Sequence, residues 1–177
     1  MFSITETARG SIEEDPISGY STSPRMSTAE QIKTRRESLG LDPKKMAVSL
    51  AMNEPSYWDL EGHDDELSDV AEFSQAIHLS QLLGVRLLAL LEENFDYVKS
   101  RRLSFQDLHE MILRKISDGE LKKDELSWDI DEFLEAPTIG FEYPILFLKL
   151  ISPEVGFDWR EVVAKYEDSE LGWPKLE

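Results

Sequence analysis

The residues in this chain best suited to chemistry are carboxylates gathered around one tryptophan. Glu54, Trp58, Asp59, Glu61, Asp64, Asp65 and Glu66 fall within thirteen positions that hold no Lys or Arg. An aromatic among like charges suits recognition more than catalysis, because apolar anchors carry interface energy while acids steer a basic partner. Glu54, Trp58, Asp59, Asp64, Asp65 and Glu66 are therefore the candidate partner-binding residues. Plainer readings stand beside this one: Trp58 packs within the chain, the acids form a solvated face, and Glu61 bonds locally.

Enzymatic chemistry has less to work with. There is no cysteine, and His63, His78 and His109 are far apart and lack ligand spacing. His63, Asp64 and Asp65 could touch a divalent ion, but a solvated acidic loop accounts for them better. Neighbouring acids such as Asp124 with Glu125, or Asp131 with Glu132, diverge on a helix. The expectation is a protein without catalytic residues, cofactor or metal.

Charge narrows the partner. Across 177 residues, 19 Lys plus Arg face 36 Asp plus Glu, a formal charge of -17. Duplex DNA repels such a field unless a local basic patch neutralises phosphates. Between Ala29 and Gly62 there are 5 basic and 6 acidic side chains, a poor supply of phosphate contacts. A hydrophobic content of 41% is enough for a packed core. The absence of cysteine fits a reducing compartment, with the cytoplasm expected. No basic region precedes an apolar stretch at the N-terminus, and no apolar run approaches the ~20 residues of a membrane helix, so no membrane contact is expected.

Periodicity and caps predict an all-α fold. Residues 1–27, rich in Ser, Thr, Gly, Pro and acids, read as a flexible arm. A helix capped by Ser27 or Thr28 uses the spacing of Ile32, Arg35, Arg36 and Leu39 to bury Ile32 and Leu39 together, and Gly40 ends it. Asp42 and Pro43 start a second helix with Met46, Ala47 and Leu50 inside. Asn53 and Pro55 start a third that buries Tyr57 and Leu60 and turns Glu54, Trp58 and Asp59 outward. A helix over 72–83 stops at Gly84, and 86–98 reads as another. Beyond Ser100, Ser104 caps a helix carrying Leu108, Met111, Ile112 and Ile116. Ile130, Phe133 and Leu134 make a short one, Pro144 to Ile151 is apolar, and Asp158 with Glu161 suggests a reciprocal cap. The stretch Leu79 to Leu87 is weakly answered by Ile151 to Trp159, as if a helix-Gly-helix corner were repeated. A glycine-capped helix end with its usual flanking hydrophobe is the favoured account.

The layout of residues 28–91 resembles the lambda-repressor/Cro type of helix-turn-helix, also called the xenobiotic-response-element type. Gly40 and Leu41 match that family's first turn, Met46 and Ala47 its Leu-Ala pair, Tyr57 and Leu60 its core aliphatics, and Glu61 its post-helix glutamate. Leu79, Leu82, Leu83, Gly84 and Val85 match its closing helix end. Ala51 stands where the family commonly has Gly, an acidic insertion at Asp64, Asp65, Glu66 and Asp69 lengthens the next loop, and the base-facing positions are acidic or aromatic. The resemblance implies a five-helix module over 28–100; beyond it the resemblance ends, and the spacing and caps over 101–177 read as a helical C-terminal domain.

Two functions follow as expectations. The first is a protein-binding module that neutralises a basic partner such as a toxin, in the manner of an immunity protein or antitoxin. The second is a transcription regulator in which Lys33, Arg35, Arg36, Lys44 and Lys45 hold the DNA backbone while Asn53, Glu54 and Ser56 read bases, with a dimer needed to double the contacts. Oligomeric state is left open.

Overall fold

The computed structural model describes residues 26–167, so the expected arm over 1–27 lies almost wholly outside the described residues. Within them the backbone forms ten α-helices and two 3-10 turns, joined by one antiparallel bridge pair, Glu72 with Pro144. The all-α expectation holds.

Helix α1, Thr28–Ser38, starts where Ser27 accepts from the Glu30 amide while the Glu30 carboxylate accepts from Ser27, satisfying two orphan donors at once. It stops at Gly40, whose φ of +66° suits a residue without Cβ. Helix α2, Pro43–Ser49, is capped by Asp42, and α3, Glu54–Leu60, by Asn53; each carries a proline in its first turn, where no N–H is needed. Met46, Ala47, Leu50, Tyr57 and Leu60 are buried as their spacing predicts.

A four-residue α4, Glu66–Asp69, precedes α5, Phe73–Leu83, which ends on Gly84 at φ +63°. Helix α6 is only Leu87–Leu90. The helix expected over 86–98 therefore breaks early: the apolar run ends at Leu91, Glu92 takes φ +59°, and an acidic, aromatic loop follows.

Helix α7, Phe105–Ser117, opens with a second reciprocal cap, Ser104 with Asp107. After a 3-10 turn, Lys123–Glu125, come α8, Asp131–Glu135, a second turn, Pro137–Phe141, then α9, Ile145–Val155, and α10, Trp159–Glu167. Pro153 inside α9 removes the N–H that would reach the Lys149 carbonyl, and the Ser152 hydroxyl donates there instead.

Two side-chain expectations are corrected. Leu39 is not buried with Ile32 but 43% exposed, because Arg36 turns inward to a buried carboxylate and Leu39 lies at the helix end. Glu161 does not cap α10 reciprocally; its carboxylate accepts from Arg101, 3.3 Å away. The buried side chains form one continuous core in which Ile32, Leu50 and Leu79 join Phe105, Phe147 and Val162.

Candidate partner-binding surface

The outer face of α3 follows from how its ends are fixed. The Asn53 Oδ1 accepts from the Ser56 amide at 2.8 Å, which sets the start of the helix. Tyr57 and Leu60 then fall into the core, and Glu54, Trp58 and Asp59 are left outside. Trp58 is 46% exposed and touches the Tyr57 ring only edge-on, with centroids 6.4 Å apart. On α2, Val48 is 79% exposed, a feature that the spacing of Met46, Ala47 and Leu50 leaves room for but that no motif marks. Lys44 approaches Glu54 at 3.9 Å, a pair open to solvent and so of small energetic weight.

Ala51 joins α2 to α3 with φ +53°, and the Met52 amide donates back to the Ala47 carbonyl at 2.9 Å. The left-handed residue that closes α2 thus turns the chain into α3, although its Cβ makes the conformation unfavourable.

Behind this face, Arg36, Glu61 and Tyr57 form a buried polar network. Arg36 donates through Nε and Nη2 to the two Glu61 oxygens, the second contact at 2.9 Å, and through Nη1 to the Leu41 carbonyl at 3.2 Å. The Tyr57 hydroxyl donates to Glu61 at 2.7 Å. The hydrogen bonds to Glu61 hold the Arg36 guanidinium above its ordinary value, while burial, reinforced by the same carboxylate, pushes the Tyr57 hydroxyl well up. A bidentate pair of this kind ties the end of α3 to the end of α1.

The loop acids divide. Asp64 accepts from the Ala29 amide at 3.0 Å, so it serves the N-terminus of α1, and that bond together with one from the Ser27 side chain holds its carboxyl below the ordinary range. Asp65 is exposed just before α4, and Glu66, half-buried, begins it. Glu54, Trp58 and Asp59 share one helix, whereas Asp64, Asp65 and Glu66 belong to the turn that follows. The role of Asp64 at α1 had no signal in the sequence, since the two are 35 positions apart.

The basic candidates are also dispersed. Arg35 is exposed, and its Nε donates to the Leu83 carbonyl at the end of α5, 2.8 Å away. Arg36 faces inward, with its side chain 8% exposed. Lys44 and Lys45 are exposed at the start of α2. The Asn53 carbonyl oxygen is occupied by its cap, and Ser56 is half-buried beside it.

Comparison with protein-family models, curated proteins and solved structures finds no match to this chain.

Elsewhere, a cleft of about 790 Å³ lies against α7, lined by Arg101, Arg102 and Arg114 but also by Asp107, Glu110 and Glu120. Arg101 is paired with Glu161, and Asp107 with its cap. The histidines stay apart: His63 is exposed, His78 is buried in α5, and His109 Nε2 meets the Leu134 carbonyl at 3.0 Å. Among the described residues no helix is long and apolar enough to cross a membrane.

Proposed function

We propose that the protein is a non-enzymatic binding module of the cytoplasm that captures a basic polypeptide on the outer face of α3, as an immunity protein or antitoxin captures a toxin. One observation carries this reading: Arg36 is locked inside against Glu61, while Glu54, Trp58 and Asp59 stand outward on the helix. Trp58 supplies a large apolar contact, and the flanking carboxylates supply steering and register. The alternative, a regulator of the Cro/repressor type reading DNA, loses Arg36 and the Asn53 oxygen to internal bonds. It keeps the exposed Lys33, Arg35, Lys44 and Lys45 against a chain of formal charge -17, where specific sites need several phosphate contacts.

The test is affinity capture from the native cell with the full chain and with a variant carrying Trp58→Ala, Glu54→Lys and Asp59→Lys. The expected result is a basic protein retained by the first, released by added salt and absent from the second, with the two melting alike. Retention by the variant would refute the assignment of the face, and a collapsed melting temperature would place Trp58 in the core.

A further inference from the structure

The corner made by α5 and α6 recurs in α9 and α10, with every landmark shifted by 72 positions. Helices α5 and α9 are each 11 residues long and end on a left-handed glycine, Gly84 at φ +63° and Gly156 at φ +85°. The serine four residues earlier turns its hydroxyl onto a carbonyl of the preceding turn in both, Ser80 onto Ile77 and Ser152 onto Lys149. The residue after the glycine donates back to that serine, Val85 to Ser80 and Phe157 to Ser152. Helices α6 and α10 both start three residues past the glycine. A glycine cap alone would account for the bonds at the helix ends but not for equal lengths and equal restarts.

The correspondence extends upstream. Helices α1 and α7 both open on a serine with a reciprocal acidic cap, and glycines at φ +66° and +73° follow them. Each sends a last-turn cation over the matching glycine: a Cβ on Gly84 would lie 3.7 Å from Arg35 Nη2, and one on Gly156 3.8 Å from Lys115 Nζ. Helix α3 packs on α4, and α8 packs on the Pro137–Phe141 turn that stands at the place of α4.

The two sets also meet reciprocally. Glu72 and Pro144, which occupy the same place before α5 and α9, bridge each other, and the Phe73 amide donates to the Tyr143 carbonyl at 2.8 Å. Pro144 has no N–H, and this bond needs none from it. Helix α6 touches its counterpart α10, α4 packs on α9, and the Pro137–Phe141 turn packs on α5. Counterparts that touch each other, with α4 on α9 answered by the Pro137–Phe141 turn on α5, are the mark of an approximate two-fold pair, although α10 also packs on α5 where α6 does not pack equally on α9.

We propose that the chain consists of two divergent copies of one helical unit, roughly 27–91 and 104–167, closed on each other about an approximate two-fold axis, so that the face one copy would offer to a second chain is already covered and the protein is a monomer. Leu79, Leu83, Leu87, Ile151, Val155 and Val162 are buried in that single core. The counterpart of α3 is then α8, which exposes Asp131, Glu132 and Glu135; no Lys or Arg occurs from 126 to 138, though Lys123 reaches Asp131 at 2.7 Å.

The cysteine-free chain permits a direct test with Glu72→Cys and Pro144→Cys together. A bridge pair of this type has Cα atoms about 4.5 Å apart, within disulfide reach. On oxidation the double variant is expected to lose both thiols and migrate as a monomer without reductant. A cross-linked dimer, or free thiols in a folded protein, would overturn the proposal. Light scattering on the unaltered chain gives a second readout, with 20.3 kDa expected at all concentrations up to near-millimolar. A mass of twice that value would overturn it as well.

Discussion

Glu61→Ala removes the buried carboxylate that faces Arg36 and leaves the guanidinium a 3.5 Å contact with the exposed Glu37. The side chains of the pair are 8% and 2% exposed, so both charges are largely withdrawn from solvent at the junction of α1 and α3. Removing one partner of a buried pair typically costs about 3–5 kcal/mol, because the remaining charge is left desolvated. The Tyr57 hydroxyl also loses its acceptor, which keeps the loss toward the upper part of that range. In a chain of this length each kcal/mol lowers Tm by roughly 2–4 °C, giving a fall of about 6–20 °C. Urea unfolding followed by far-UV circular dichroism measures the loss, and a cycle with Arg36→Met isolates the coupling, expected on the order of 1–3 kcal/mol. A loss below about 1 kcal/mol is the size of an exposed ion pair. That result would mean Arg36 swings freely to the surface and is available to a phosphate after all.

Three further outcomes follow from the packing. Ala51→Gly should stabilise by about 0.5–1 kcal/mol, the relief of a left-handed alanine less the extra chain entropy of glycine; a lower urea midpoint would contradict it. Gly140→Ala should destabilise by about 1–3 kcal/mol, since its Cβ would lie 2.6 Å from the buried Phe105 ring, itself hemmed in by Phe73, Phe141 and Tyr166; unchanged melting would refute that packing. Burial holds His78 below its ordinary 6.5, against a smaller opposing hydrogen bond with the Ser49 backbone, so the unfolded chain binds its proton more readily than the native one. Stability should be complete above 6.5 and decline as pH falls below it, and His78→Gln should flatten that slope; an identical slope in the variant would refute the assignment.

The caps were the most legible part of the sequence. Ser27 with Glu30, Asp42 with Pro43, Asn53 with Pro55, and Ser104 with Asp107 each place a helix start by local chemistry, and Gly40 and Gly84 place the ends. The outward position of Trp58 followed from Tyr57 and Leu60 claiming the inner face. Long-range pairing was not legible. Arg36 shares a helical spacing with Ile32 and Leu39, and only the carboxylate of Glu61, 25 positions away, decides that the arginine turns in. Asp64 looks like one more loop acid until it is found at the α1 N-terminus. The extent of α6 was hidden because the apolar run Leu87 to Leu91 gives no sign of where the backbone reverses. The repeat was faint because its landmarks are a glycine, a serine and a helix length, while the side chains around them have diverged.

On its outer face α3 carries Glu54 and Asp59 and no Lys or Arg, the opposite of what phosphate contacts need. Titration of a fluorescently labelled mixed-sequence duplex with the full chain at low salt, followed by anisotropy, tests this most directly. No saturable binding is predicted. Tight binding that weakens steeply as salt is added would contradict the account.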